Sequence, residues 1–247
     1  ITGDEEGCAI NGTKKILQWM EGKNLTFDDC IVGEPTNPNH LGEMIKIGRR
    51  GSVNGIITVE GIQGHVAYPN LADNPIPKLL KILENLIKEK LDNGTDHFQQ
   101  SNIEITSIDI GNQATNVIPD KASANFNIRY NDIFDNKKIE DEVHKRVRGL
   151  NYNYSIKFEH SGDAFLTHPG EFTENLSNII EDQTGKRPEL STSGGTSDAR
   201  FIKDYGNVVE FGLVGATMHK IDESASIEDI INLTEIYYQV LKKYFYS

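Results

Sequence analysis

The chain has 247 residues, which is enough for two domains and a sizeable buried core. Its 37 acidic residues outnumber its 25 lysines and arginines, so the formal net charge is -12. That balance argues against a nucleic-acid partner and against binding to anionic lipid, because both need a basic surface. No stretch approaches the roughly 18 apolar residues of a membrane-spanning segment. With only two cysteines, a disulfide framework of more than one bridge is excluded, and a reducing compartment is favoured.

The first residues of the chain do not resemble a signal peptide, because 1–7 carry neither positive charge nor an apolar run. The chain begins with Ile1 rather than methionine, in what we interpret as the end of a strand that enters an acidic loop. We therefore expect the chain to be the C-terminal part of a longer protein.

Hydrophobic periodicity separates an outer part of the chain from an inner part. In the outer part, strands alternate with helices, which predicts an α/β layer. Its predicted elements are helix Asn11–Gly22, strands Cys30–Gly33 and Met44–Ile47, helix Glu171–Thr184, strand Glu189–Thr192, helix Asp198–Asp204, strand Val208–Phe211 and helix Ile227–Tyr244. We interpret Gly48–Gly51 as an interruption and Ser193–Ser197 as a tight turn.

The inner part has the order β-α-β-β-α-β, the split βαβ arrangement of a compact module. Its predicted elements are strand Val53–Ile62, helix Pro75–Leu91, strands Ile103–Ile110 and Ala122–Tyr130, helix Ile139–Leu150 and strand Tyr154–Phe158. The simplest organisation is an α/β domain built from 1–50 and 165–247, with 51–164 inserted as a second domain.

Three places offer side chains of the types that bind metal ions. Asp4, Glu5 and Glu6 are consecutive, so neighbouring carboxylates point in different directions and one can face a cation while the next faces water. Glu34 follows a buried strand, and His219 follows a strand and a glycine-containing loop. Each place also has an alternative interpretation without a function: the acidic triplet as a solvated loop, Glu34 as part of a surface turn, and His219 as a structural histidine.

Other residue types favour binding of anionic groups. His65 lies in a turn between glycines, where it is either a donor to a developing oxyanion or a simple turn residue. Arg49, Arg50 and Arg129 can bind carboxylates, although a solvent-facing role for Arg129 is an equal alternative. The sequence Gly194-Gly195-Thr196 precedes a helix and is either an anion site or only a turn. We interpret both cysteines, Cys8 and Cys30, as packing residues.

Seven segments occur in the order found in one enzyme family: Ile1–Gly7, Gly33–Thr36, Gly48–Ser52, Gly64–Pro69, Ala114–Pro119, Ser193–Asp198 and Ala216–Lys220. In these segments the chain resembles the co-catalytic zinc amidohydrolases and exopeptidases, the family that includes aminoacylase. The resemblance implies an α/β fold with a zinc-exopeptidase-like catalytic domain, incomplete at its N-terminus, and an inserted βαββαβ ferredoxin-like dimerisation domain.

The resemblance also implies roles for individual residues. Glu5 would be the general base and acid, Glu6 and His219 would bind one zinc ion, and Glu34 would bind the other. His65 would reach the site of the partner subunit in a homodimer and stabilise the oxyanion there. The residues that would line the substrate site are Arg49, Tyr68, Asn116, Arg129, Ser161, Gly195 and Thr196. Each subunit would hold two Zn²⁺ ions, with Co²⁺ as a substitute.

Within the family, the resemblance is strongest to enzymes that cleave N-succinyl-LL-2,6-diaminopimelate into succinate and LL-2,6-diaminopimelate. It therefore implies a cytoplasmic hydrolase of a small N-acyl diamino acid in lysine and diaminopimelate biosynthesis. One alternative is a related N-acyl amino-acid deacylase, such as acetylornithine deacetylase, or an exopeptidase. Alternatives of another class are a non-catalytic dimerisation and scaffold fragment and a plain α/β binding protein.

Two further metal ligands of the family have no counterpart in this sequence: the histidine of a His-x-Asp motif and an aspartate that bridges both ions. The chain thus holds at most three of five ligands. We therefore expect this chain alone to be inactive, to bind zinc weakly and to be able to exist without metal.

Overall fold

The computed structural model describes residues 9–195 and 197–246. These residues form two compact units. The first unit contains 9–49, 165–195 and 197–246, and the second contains 50–164. The chain therefore leaves the first unit once and returns to it once.

The first unit contains most of the helices, and runs of consecutive strands occur in the first half of the chain. In chain order the helices and strands are α1 (Thr13–Glu21), β1 (Asp29–Val32), β2 (Met44–Lys46), β3 (Gly48–Arg49), β4 (Gly51–Glu60), β5 (Gly64–His65), the 3-10 helix Pro69–Leu71, α2 (Pro75–Ile87), β6 (Asn102–Asp109), β7 (Val117–Ile118), β8 (Lys121–Tyr130), α3 (Asn136–Val147), β9 (Tyr154–Gly162), β10 (Phe165–Leu166), α4 (Glu171–Thr184), β11 (Glu189–Ser191), α5 (Ala199–Ile202), β12 (Asn207–Glu210) and α6 (Ile227–Tyr246).

The first unit is built around a four-stranded mixed sheet with the order β1-β12-β2-β11. Strand β12 runs parallel to β1, and β11 runs parallel to β2, while β12 and β2 are antiparallel. Because β1 and β12 are parallel, their carboxyl ends meet at the same edge of the sheet. The chain segments that follow these two strands therefore begin side by side.

Helices cover both faces of this sheet. Val208 and Val209 are adjacent on β12 and fully buried, yet they belong to different clusters. Val209 packs with residues of α4 and α6, such as Leu176 and Ile236, and Val208 packs with residues of α1 and α5, such as Leu17. This alternation is the two-residue period of a strand that is buried on both faces.

The second unit is a four-stranded antiparallel sheet with the order β6-β8-β4-β9. Apart from the short strands β5 and β7, the chain runs through it as β4-α2-β6-β8-α3-β9. This is the β-α-β-β-α-β arrangement that the sequence predicts. Helices α2 and α3 pack on one face of the sheet, and the opposite face carries polar side chains such as Asn54, Asn127 and Arg129.

The core of the second unit is made of aliphatic residues of α2 and α3 packed on the inner positions of the strands. Gly55 lies directly opposite Phe126 on the neighbouring strand. A Cβ atom at position 55 would lie 2.0 Å from Cζ of Phe126, so the aromatic ring occupies the space that a larger residue would need. Glycine is therefore the residue that fits on β4 opposite the large side chain of Phe126.

Short strand pairs are the features that hydrophobic periodicity does not predict. Gly48 and Arg49, interpreted above as an interruption, pair with Leu166 and Phe165 as β3 and β10. The backbones approach so closely that a Cβ atom on Gly48 would lie 2.3 Å from the Phe165 carbonyl oxygen. A two-residue pair is too short to show an alternating pattern in the sequence.

Among the helices in the described parts of the chain, none combines the length and the apolar composition needed to cross a membrane.

Candidate functional site

The loops after β1 and β12 lie against each other in the first unit. Asn37 connects them: its side-chain Nδ2 donates to the Gly212 carbonyl at 2.7 Å, and its own carbonyl accepts from Gly215 N at 2.8 Å. A Cβ atom on Gly212 would lie 2.4 Å from the Glu34 carbonyl oxygen. Glu34 and His219 therefore belong to two adjoining loops at the carboxyl edge of the sheet.

His219 occupies an unusual backbone conformation for a residue with a side chain. Its φ angle is +59°, in the left-handed region, and its amide donates to Glu223 at 3.3 Å. The imidazole is exposed, whereas Glu34 is half-buried. Strain of this kind is found at sites where the surrounding turn fixes a side chain for a task.

Three predicted site residues, Glu5, Glu6 and Thr196, lie outside the described residues. Within 9–195 and 197–246, no three histidine, cysteine, aspartate or glutamate side chains are grouped so that they could hold a metal ion. The predicted ligands Glu34 and His219 supply a carboxylate oxygen and an imidazole nitrogen, which are donor types that zinc accepts.

A second cluster in the first unit surrounds the Ser193-Gly194-Gly195 segment, which we call the glycine loop. Arg49 is buried and forms an ion pair with Glu210 through both Nε and Nη2. Its Nη1 donates to the Ser193 carbonyl at 3.1 Å. Gly195 is exposed at the top of the loop. The prediction that Arg49 lines the substrate site stays a prediction, and the contacts just described are with the protein itself.

Lys46 lies beside this cluster. Its Nζ donates to Ser193 Oγ at 2.7 Å, and its backbone pairs with Glu210 across β2 and β12. Burial and the neighbouring Arg49 lower the pKa of the Lys46 amine from 10.5 to about 8, although Glu210 opposes the shift. Both cations thus lie near the buried Glu210 carboxylate, but Arg49 alone of the two forms an ion pair with it in the described chain.

In the second unit, the small sheet of β5 and β7 brings together three predicted residues. His65 pairs with Val117, so Asn116 lies next to it, and the Asn116 carbonyl accepts from the Val66 amide at 3.1 Å. The ring of Tyr68 lies 5.8 Å from the ring of His65. The side chains of His65, Tyr68 and Asn116 are all exposed on this small sheet.

The hydrogen bonding of His65 determines which of its nitrogens can donate. The Ala67 amide donates to His65 Nδ1 at 3.1 Å. An acceptor Nδ1 requires the proton of the neutral ring to be on Nε2. The exposed Nε2–H is therefore available to donate to an anionic oxygen.

A band of polar residues crosses the sheet of the second unit. Arg129 lies opposite Ser52 on β4 and opposite Asn102 on β6. On β9, Gly162 is the partner of Ser52 and His160 is the partner of Val53. The register between β4 and β9 therefore shifts at this point, and Ser161 is the extra residue of a β-bulge. Ser52, Arg129 and Ser161 thus come from three neighbouring strands.

Arg50 joins this band with a second guanidinium. Its Nη1 donates to Asn102 Oδ1 at 2.9 Å, and Arg129 Nε donates to Asn127 Oδ1 at 3.1 Å. Burial lowers the pKa of both arginines, and the charge of Arg129 lowers that of Arg50 further. Neither forms an ion pair with a carboxylate of the described chain, and Arg50 Nε is buried without a hydrogen-bond partner there.

The structure therefore groups the predicted residues into separate sets, two in each unit. Sequence reasoning missed Ser52, Asn102 and Asn127 of the polar band, and Glu210 beside the glycine loop. Ser52 could have been found from the two-residue period of β4, because it lies on the same face of the strand as Asn54. Glu210 had no comparable signal, since its partner Arg49 is distant in the sequence.

Comparisons with known proteins agree with this architecture. The peptidase dimerisation domain of family M20 matches 47–155. The chain is 56% identical to succinyl-diaminopimelate desuccinylase of Beijerinckia indica over 248 residues, and 52% identical to that of Xanthobacter autotrophicus over 246 residues. Each match covers 99% of this chain. The chain is similar to these desuccinylases over nearly its whole length, and to M20 peptidases in the segment 47–155. The chain spans 65% and 66%, respectively, of the length of those two relatives, slightly less than two thirds.

Solved peptidase structures share the fold at much lower identity. An aminopeptidase PepT from Bacillus cereus is 18% identical, with a TM-score of 0.77 over 98% of this chain and 63% of that protein. An M20 metallo-carboxypeptidase from Sulfolobus solfataricus is 16% identical, with a TM-score of 0.77 over 98% of this chain and 69% of that protein. The α/β fold with an inserted dimerisation domain, expected from the sequence, is thereby confirmed.

Proposed function

We propose that the whole protein containing this chain is a metal-dependent amidohydrolase that cleaves N-succinyl-LL-2,6-diaminopimelate into succinate and LL-2,6-diaminopimelate. The proposal is supported by relatives that carry the name succinyl-diaminopimelate desuccinylase at 52–56% identity. The reaction belongs to lysine and diaminopimelate biosynthesis, and we therefore place the protein in the cytoplasm.

The observation that carries the proposal is the pair Arg50 and Arg129. Two half-buried guanidinium groups without a carboxylate partner in the described chain are costly unless an anion joins them. A succinyl group ends in a carboxylate, which guanidinium binds with paired hydrogen bonds. An acetyl group offers only a methyl group. The buried hydroxyl of Ser52, opposite Arg129, adds a neutral donor of the kind that completes a carboxylate site.

Divalent cations are part of the proposal. Glu34 and His219, at one edge of the sheet, together with Glu6, would contribute ligands, with Zn²⁺ as the first choice and Co²⁺ as the second. A cation bound there supplies Lewis acidity toward the acyl carbonyl and makes water easier to deprotonate. The position of His219 in the left-handed region supports a fixed role for its imidazole.

The chain's own residues would move the proton and stabilise the developing charge. Glu5 would take a proton from a water molecule while the oxygen of that water adds to the acyl carbon. Glu5 would then return the proton to the amine nitrogen when the C–N bond breaks. His65 would donate from Nε2 to the acyl oxygen as it becomes negative. Its Nδ1 is held by the Ala67 amide, which supports this tautomer. The residues that would line the substrate are Tyr68, Asn116, Arg129, Ser161, Gly195 and Thr196.

We propose that the homodimer forms along β6 and α2. In the described chain, β6 pairs only with β8, so its other edge is open. Leu80 and Ile87 are both exposed on α2, and their spacing of seven residues places them on the same side of the helix. Lys78 lies about 160–180° around the helix axis from these two residues. Lys78 lies over Tyr152, which follows α3, so the apolar stripe faces away from α3 and toward the β6 side. A second copy could extend the sheet and cover this stripe.

The experiment is a comparison of rates for the purified whole protein with N-succinyl-LL-2,6-diaminopimelate, N-acetylornithine and a dipeptide. We expect the succinyl substrate to react fastest, a chelator to abolish the reaction, and Zn²⁺ or Co²⁺ to restore it. Faster hydrolysis of N-acetylornithine or of the dipeptide would replace the succinyl assignment. No hydrolysis of any of the three by metal-loaded protein would overturn the proposal.

A further inference from the structure

Glu210, at the end of β12, is only 1% exposed, yet it has no part in the chemistry proposed above. Its carboxylate accepts from the guanidinium of Arg49 and from the hydroxyl of Ser197. Burying a carboxylate without compensation is costly, and these donors replace the hydrogen bonds that water would otherwise supply.

The two donors lie on either side of the glycine loop. Before the loop, Arg49 uses Nε and Nη2 on Glu210 and Nη1 on the Ser193 carbonyl. After the loop, Ser197 is 1% exposed, and its Oγ both donates to Glu210 and accepts from the Ala199 amide at 3.2 Å. One buried carboxylate is therefore linked to the beginning of the loop and to the start of α5.

The loop itself is shaped by Arg49. Gly194 has a φ of +103°, and a Cβ atom there would lie 2.3 Å from Arg49 Nη1. Only glycine satisfies both the backbone angle and this close approach. Lys46 also holds the loop, because its Nζ donates to Ser193 Oγ at 2.7 Å. By contrast, a Cβ atom on exposed Gly195 would meet no atom within 4 Å, so the top of the loop is open.

We infer that Glu210 is a positioning residue, which holds the glycine loop and Ser197 in one conformation through Arg49 and so presents Gly195 to the substrate. The inference rests on the proposed function in one respect, the place of Gly195 in the substrate site. It assigns Arg49 a role inside the protein, in which its guanidinium shapes the loop before any substrate is bound.

The test uses the whole protein with Ser197→Ala, Arg49→Lys and Glu210→Gln, and Glu189→Gln as the control. Arg49→Lys keeps a positive charge beside Glu210 but cannot reach Glu210 and the Ser193 carbonyl together. The control removes the same charge as Glu210→Gln from an exposed position on β11. Hydrogen–deuterium exchange of peptides spanning 192–198 is measured without substrate, together with KM and kcat.

We expect Ser197→Ala and Arg49→Lys to speed exchange in this peptide about tenfold. We also expect KM to rise about tenfold while kcat changes less than about threefold, because the loop contacts substrate and transition state alike. Glu210→Gln should increase the exchange rate and KM more than the other two variants do, provided that it folds. If Glu210→Gln does not fold, the results for Ser197→Ala and Arg49→Lys test the inference. The control should match wild type in both measurements.

Unchanged exchange in Ser197→Ala and Arg49→Lys would overturn the inference, whatever the activity. Faster exchange with an unchanged KM would also overturn it, because the loop would then be held but not presented to substrate. An inactive wild-type protein would instead count against the proposed function, while the exchange data would still decide whether Glu210 holds the loop.

Discussion

Ser52 and Arg129 face each other across two antiparallel strands of the second unit, and Ser52 is only 3% exposed. Arg50 adds its guanidinium to the same band through Asn102. The band therefore offers two positive charges and a buried hydroxyl, but no carboxylate of the described chain is paired with either arginine. A carboxylate-bearing substrate would supply the missing negative charge.

The first prediction concerns the subunit in which His65 acts. Neither Glu5→Gln nor His65→Ala should be active alone; loss of an oxyanion donor typically lowers kcat about 10²–10³-fold. If His65 serves the partner's site, a mixed dimer has one competent site. Random mixing of the two variants should then restore about a quarter of wild-type activity, because half of the dimers are mixed.

Steady-state assays of the re-mixed variants measure this recovery. The control is each variant mixed with itself under the same conditions. If mixing restores nothing while size-exclusion chromatography shows dimers, His65 acts only within its own subunit.

The second prediction concerns the assembly surface. Leu80→Glu places a charge in the apolar stripe of α2 and should convert the dimer to a monomer, because a buried unpaired charge is costly. Lys88→Glu changes an exposed residue just after α2 and should leave the dimer intact. Analytical ultracentrifugation distinguishes the two. A dimeric Leu80→Glu variant would rule out this face of α2.

The third prediction concerns pH. Folding lowers the pKa of Lys46 from 10.5 to about 8, so between these values the unfolded chain binds more protons than the folded chain. The free energy of unfolding should therefore gain a contribution as pH rises through this range, on the order of 3 kcal/mol at most. Lys46→Met should lack that contribution.

Urea unfolding of wild type and Lys46→Met at several pH values between 8 and 10.5 tests this. Comparing the two proteins cancels the titration of all other groups. Parallel curves for the two proteins would show that the Lys46 amine titrates normally in the folded state.

The fourth prediction uses two neighbouring residues of β4. Ile57 is fully buried beneath α2 and α3, whereas Ile56 is 46% exposed on the other face. Ile57→Ala should lower the free energy of unfolding by about 2–5 kcal/mol, and Ile56→Ala by about 1 kcal/mol or less. Urea denaturation measures both. Equal losses would contradict the assignment of the two faces.

Much of the fold could be predicted because period-two alternation and helical spacing are local patterns. The strands containing Val53 and Phe126 and helix α4 follow directly from such patterns. The relation between Arg49 and Glu210 could not be predicted, because 161 positions separate them and a buried ion pair leaves no local pattern. The grouping of His65 with Asn116 likewise depends on the two-residue strands β5 and β7.

The proposed function depends most on the selection of a carboxylate by Arg50 and Arg129. The decisive measurement is kcat/KM for N-succinyl- and N-acetyl-LL-2,6-diaminopimelate with wild-type protein and with Arg129→Gln. We predict that wild type prefers the succinyl substrate and that Arg129→Gln lowers kcat/KM for that substrate about 10–100-fold, since hydrogen bonds to charged groups contribute about 1.5–3 kcal/mol. The acetyl substrate should be nearly unaffected. Equal losses for both substrates, or no loss for either, would contradict the account.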